Sequence, residues 1–121
     1  MAEMATYIGI EPRTVIANAT ISRGTRLTLN SGGTADVQDN TAKGDFVALT
    51  DGVTGQPLEV ASVYGGGKVP ALAAEAVTAG TAAYTNTSGR FGVTTASNVL
   101  IGKWVLAASG AGVIGEVELQ S

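Results

Sequence analysis

The chain carries a second copy of itself. Shifted by 56 positions, Ile21-Ser-Arg-Gly24-Thr25 falls on Val77-Thr-Ala-Gly80-Thr81, Asn30 on Asn86, Gly33 on Gly89 and Val37 on Val93. A shift of 58 then brings Asn40 to Asn98, Gly44 to Gly102, Phe46-Val47 to Trp104-Val105 and Gly52 to Gly110. A shift of 59 brings Leu58-Glu59-Val60 to Val117-Glu118-Leu119. In a chain with 17 glycines, some of these would coincide by chance. Apolar positions, asparagines and turns recurring in one order would not. Each copy, at approximately 19–61 and 75–120, has to form the same local structure, and periods of this length mark repeated architectures.

That local structure reads as β. Thr14 to Ala17 is a short strand, and Arg26-Leu27-Thr28-Leu29-Asn30 alternates polar and apolar, as a strand with one buried face does. Asn30-Ser31-Gly32-Gly33 is turn chemistry and Thr34 to Gln38 the returning strand. Phe46 to Leu49 and Gln56 to Val63 are further strands, and Gly65-Gly66-Gly67 a flexible hairpin tip. Pro70 confines Lys68 to Leu72 to an edge or a strand start. The alanines of Ala71 to Val77 favour a helix. At about seven residues it would be marginal alone. The second copy gives a hairpin around Asn86 to Gly89, a long strand over Leu100 to Ala108 and a last one over Val113 to Leu119. Many short strands joined by glycine turns mean an all-β barrel or sandwich.

At 121 residues the chain is expected to be one domain. Residues 1–13 form an extended N-terminal arm and residues 14–121 the β-domain. Only 5% of the chain is aromatic, so the core is built from small side chains. Each buries little apolar area at about 25 cal/mol per Å². Self-association would add what such a core lacks. The net charge of −3, with seven scattered basic residues, argues against nucleic acid as a partner, because binding there requires a basic patch. No apolar run approaches the length of about 20 residues that crosses a bilayer, so no membrane partner is expected.

Catalysis finds poor material. With no His and no Cys, the commonest bases, nucleophiles and metal ligands are missing. No catalytic, cofactor-binding or metal residues are assigned, and the chain is expected not to be an enzyme. Gly65-Gly66-Gly67-Lys68 lacks the hydroxyl residue and helix start of a phosphate loop. Asp36, Asp39, Asn40 and Asp45 lack calcium-loop spacing, and the default for them is solvated loop carboxylates. Glu59 and Glu118, equivalent under the repeat, are outward residues on matching strands. Asn18-Ala-Thr20 and Asn86-Thr-Ser88 match the permissive glycosylation pattern. Trp104 reads as core. In the arm, Tyr7, Ile8 and Ile10 are apolar for a free tail, which suggests a segment that orders on a partner.

The second copy also carries a resemblance. Val77-Thr-Ala-Gly80-Thr-Ala-Ala-Tyr84, Gly89-Arg-Phe91-Gly-Val93, Leu100-Ile101-Gly102-Lys-Trp104-Val-Leu106 and Gly115-Glu-Val117-Glu-Leu119 resemble the tailed-phage capsid cement (head decoration) proteins of the lambda decoration type. Gly24-Thr-Arg-Leu-Thr-Leu29 and Gly44-Asp-Phe-Val-Ala-Leu49 extend the similarity over about residues 14–120. The resemblance implies a small β-barrel or β-tulip domain, sandwich-like, assembled as a homotrimer. Its partner would be the major capsid protein, on the outer surface of the virion head, after synthesis in the host cytoplasm. Relatives use an N-terminal arm to reach the shell. By position and character that arm corresponds to Tyr7, Ile8, Ile10, Pro12 and Arg13.

The expectation is therefore a capsid decoration protein that binds an expanded head and stabilises it against genome pressure. The alternative is a carbohydrate- or receptor-binding β-domain of a phage fibre or bacterial surface protein. Sugar platforms need aromatic rings, and few are present.

Overall fold

Strand β1 (Pro12–Ala17) opens the described part of the protein, a computed structural model whose residues 12–120 are described. Strands β2 (Arg26–Leu29), β3 (Thr34–Val37), β4 (Phe46–Ala48) and β5 (Pro57–Ser62) follow. The five close into a barrel in the order β1-β3-β2-β4-β5. The β2–β3 hairpin places Leu27 opposite Val37 and Leu29 opposite Ala35. The Asn30–Gly33 turn closes it, with Gly33 at a φ of 86°, where a side chain would be strained.

The second unit repeats this plan. Strands β6 (Lys68–Leu72), β7 (Ala82–Thr85), β8 (Phe91–Gly92), β9 (Leu100–Leu106) and β10 (Ile114–Leu119) form a sheet ordered β6-β10-β9-β7-β8. Strand for strand this is the order of the first barrel. Even its closing step recurs: the parallel register Ala17–Ala35 reappears as the parallel bridge Ala73–Phe91. Asn18 N donates to Ala35 O at 2.9 Å, and Ala74 N to Phe91 O at 2.8 Å. The chain is all-β and internally duplicated.

The repeat in space corrects its alignment in sequence. Gly24 N donates to Ala48 O and Gly80 N to Trp104 O, both at 2.8 Å, so the shift of 56 holds as far as Trp104. Only then is a residue added, since Ala17 N reaches Gln56 O at 3.0 Å and Ala73 N reaches Val113 O at 2.9 Å. The strand registers agree, with Val15 facing Leu58 and Ala71 facing Gly115. The expected shifts of 58 and 59 are wrong. Trp104 stands where Ala48 stands, and the partner of Glu59 is Glu116, not Glu118.

This correction exposes an exchange of volume. The first barrel holds Ala48 and Leu58 in its core; at the matching positions the second unit holds Trp104 and Gly115. A Cβ on Gly115 would lie 2.9 Å from Trp104 Cζ3, so the glycine makes room for the indole. Trp104 is fully buried, donates Nε1–H to Gly92 O at 3.1 Å and meets the Phe91 ring edge-on at 6.3 Å.

The expected helix over Ala71–Val77 is absent. Ala71 and Leu72 end strand β6, while Ala73 and Val77 form isolated bridges. Pairing to β10 outweighs helix propensity in a segment too short to hold itself. Ala71 and Ala73 fill the second core, while the main chain of β6 passes so close to the first barrel that a Cβ on Gly24 would lie 2.7 Å from Leu72 N. Pro70 sits in β6, which ends the sheet order as an edge strand should when it carries proline. Gly65-Gly66-Gly67 is not a hairpin tip. It joins β5 of one unit to β6 of the other.

Two cores result. Val15, Ala17, Ile21, Leu27, Ala35, Phe46, Ala48, Leu58 and Val60 fill the first barrel. The second core holds the interior of the second unit, around Phe91 and Trp104, together with Val47, Leu49, Ala61 and Val63 from the outside of the first. Successive residues of β4 and β5 therefore serve opposite faces, which is why Phe46 to Leu49 reads as a continuous apolar run. The units share a core and form one packed body.

The short strand β8 is held by a side chain. Glu75 accepts hydrogen bonds from Val93 N (3.0 Å) and Thr94 N (3.2 Å) and from the Thr94 hydroxyl. These donors, Val93 N–H foremost, hold its carboxyl below the usual glutamate range against a desolvation that opposes them. A lowered folded-state value means stability that is present above the ordinary glutamate value and lost as pH falls through the lowered one. Glu75→Gln should cost about 1 kcal/mol at pH 7, discounted for partial exposure. The gap to the parent in thermal melts should narrow as pH falls below the ordinary glutamate range. A gap independent of pH would remove the carboxylate from this role.

Candidate functional site

Where the units meet, one cation is enclosed. Arg26 lies on β2 with its side chain pointing out of the first barrel, where the 39–43 loop and the second unit together bury it completely. Its Nε–H donates to Arg90 O (3.2 Å), Nη1 to Ala42 O (2.8 Å) and Lys43 O (3.2 Å), and Nη2 to Asp39 O (3.0 Å) and Asn86 O (2.6 Å). That accounts for all five donors of a guanidinium. Three of the acceptors come from the 39–43 loop of the first unit and two from the β7–β8 hairpin of the second. The guanidinium also sits 5.9 Å from the centre of the Phe91 ring. Burial pushes its pKa down to about 10, with the Asp39 charge opposing, so it stays charged at neutral pH. Arg26 is a clamp between units, built on main-chain oxygens.

Neighbouring bonds tighten the same seam. Thr85 Oγ1 donates to Asn40 O at 2.8 Å, and Asn40 Nδ2 donates to Asn98 Oδ1 at 2.9 Å and Ser97 O at 3.0 Å. Leu72 N donates to Gly24 O at 3.0 Å, adding a main-chain link.

The same face of the second unit is open. The positions matching Val47, Ala61 and Val63 carry Lys103, Glu118 and Gln120, all exposed. Gly80 matches Gly24 and shares its positive φ, yet nothing lies within 4 Å of where its Cβ would be. Here a shallow groove of about 470 Å³ is lined by Gly80, Ala82, Leu100, Gly102, Lys103, Glu118, Leu119 and Gln120.

The residues singled out in the sequence fall as follows. Tyr7, Ile8 and Ile10 lie outside the described residues. Pro12 and Arg13 are part of β1, paired with Ala61 and Val60. Asp36, Asp39 and Asp45 serve three different segments and do not converge. Asp36 accepts from Asn18 and Asn30 side chains, Asp39 from Thr41, and Asp45 from Leu29 N. Among the described residues no group of three or more acidic side chains is placed to hold a metal ion. Asn86 accepts from Thr87 N at the start of the 3-10 turn Thr87–Gly89. Glu59 and Glu118 are both exposed, on different strands. Among the described residues no helix is long and apolar enough to cross a membrane.

Arg26 escaped the sequence reading because period-two alternation placed it on the solvent side of its strand. It does point away from the first barrel. The outside of one unit is the inside of a two-unit body, and only the packing of the repeats reveals that.

The fold is a duplicated β-barrel unit with a buried arginine where the two copies meet. Among solved structures it is similar to the head fibre gp8.5 N base of bacteriophage phi29, with a TM-score of 0.73 at 18% identity. The match covers 92% of this chain and 94% of that one, so it takes in both units. No family model matches the sequence, and no curated protein matches it.

Proposed function

We propose that this protein is a non-enzymatic structural component of a tailed-phage head. It binds the outside of the expanded shell as a homotrimer and stabilises it against the pressure of the packaged genome. The observation that carries this reading is the fold shared, across both units, with a protein described as a head fibre base. The major capsid protein is the partner. A protein that binds only the expanded lattice stabilises that state by RT ln(1 + [L]/Kd) per site, and many sites sum. Trimerisation raises the effective concentration of each contact once the first is made.

Tyr7, Ile8 and Ile10 extend this reading to the arm, which would add main-chain hydrogen bonds to a capsid-protein sheet. Because Pro12 and Arg13 belong to β1, the informative truncation removes residues 1–11. Co-sedimentation with expanded heads stripped of decoration should show saturable binding by the full chain. The truncated chain should bind at least tenfold more weakly, with its melting temperature unchanged. Absence of binding by correctly folded full-length protein would end the proposal; undiminished binding by the truncation would end the role of the arm.

The neighbour is itself part of a fibre, which favours a second reading as a carbohydrate- or receptor-binding domain. A glycan array separates the two, since a decoration protein gives no specific signal.

A further inference from the structure

We infer that the open groove of the second unit receives the first unit of another copy, so that subunits join head to tail through a repeat of the seam inside each chain. The inference rests on the self-association proposed above and names the faces that make it.

The internal seam is the template. In it, the outward residues of β6, Pro70 and Leu72, are buried against the first unit. The matching outward residues of β1 are Thr14 and Ile16, and both are exposed, Ile16 at 38%. The hairpin that gives Arg26 two of its acceptors matches the β2–β3 hairpin, where Leu29 is 45% exposed. The donor face of the first unit is covered by none of the described residues. The acceptor face of the second unit is equally open. Gly80 keeps the backbone conformation of Gly24, whose absent Cβ lets β6 approach to hydrogen-bonding distance. At Gly80 the same space stands empty.

The two ends of the chain differ from the internal seam in the way separate subunits require. Ala82 replaces Arg26, and Lys103 and Glu118 replace Val47 and Ala61, so the groove carries charges where the internal face is apolar. A free subunit thus exposes a hydrated face where the internal one is apolar, and the contact forms without burying an isolated guanidinium. Such interfaces are more polar than permanent ones. Thr14 lies beside Glu59 on β1 and β5, which puts a carboxylate on the donor face. A contact between two different faces leaves one of each open until the ring closes, and that is how a trimer without a twofold axis would form.

The chain has no cysteine, so single substitutions report cleanly. Ile16→Cys and Ala82→Cys are both at exposed positions and are made in separate full-length chains. The two are mixed and treated with a short bis-maleimide. The expected result is a covalent dimer in the mixture and none from either chain alone, with sedimentation giving a trimer for the parent and a monomer for Ile16→Glu. Cross-linking of Ile16→Cys with itself would mean a twofold contact and overturn the inference. So would a trimer that persists in Ile16→Glu, or a parent monomeric at 100 micromolar by order of magnitude. A chain that binds heads but gives no mixed cross-link overturns the assignment of faces while leaving the proposed function standing.

Discussion

Replacing Arg26 with methionine should lower the unfolding free energy by about 3–5 kcal/mol, because five main-chain carbonyls lose their donors inside the seam. The substitution keeps most of the apolar stem but deletes all five donors. The acceptors cannot be removed with it, because all are main-chain carbonyls (of Asp39, Ala42, Lys43, Asn86 and Arg90) fixed by strands and turns. Each one left dry and unpaired costs about 1–3 kcal/mol, and water entering the seam recovers part of the sum. Arg26→Lys should fall between parent and methionine, since an ammonium has three donors and no planar fork. Urea unfolding by far-UV circular dichroism checks both. A loss below 1 kcal/mol for methionine would mean that the seam is held by the shared apolar core alone.

The second large effect is expected at Trp104 and Gly115. Trp104→Ala should cost about 3–5 kcal/mol, the usual range for emptying a buried aromatic site. Gly115→Ala adds one methyl group, yet should cost about 1–3 kcal/mol from overpacking. Its Cβ would lie 2.9 Å from Trp104 Cζ3 and 2.6 Å from Leu106 O. With Trp104 already truncated, the cost of Gly115→Ala should shrink but not vanish, because the Leu106 carbonyl stays where it is. A double-mutant cycle with about 1 kcal/mol of coupling would establish that glycine and indole share one volume. Strict additivity would contradict it.

The same pair shows what was legible in the sequence and what was not. The duplication, the β class and most strands could be read from periodicity, because hairpins at Asn30–Gly33 and Asn86–Gly89 and alternation in β2 are local signals. The alignment failed where side-chain size was the guide. Matching Phe46 to Trp104 put large on large, whereas the two cores exchange volume between positions, Ala48 with Leu58 against Trp104 with Gly115. Backbone hydrogen bonds keep the register that side chains obscure. The helix expectation at Ala71–Val77 failed because alanine was read as helix propensity, whereas Ala71 and Ala73 are core residues held by strand pairing and a bridge.

The arginine seam and the groove were invisible for a deeper reason. Whether an outward-facing side chain meets water depends on what the other unit covers, and that is a tertiary fact. Arg26 and Lys103 look alike in sequence as charged residues on amphipathic strands. One is fully buried and the other exposed because the two copies are stacked in order rather than facing each other.

The proposed clamping of a phage shell is tested most directly by the melting of the shell itself. Calorimetry of expanded heads stripped of decoration should show the capsid transition move upward as this protein is added, saturating when its sites are full. A transition that stays in place at every concentration of folded protein would contradict the account.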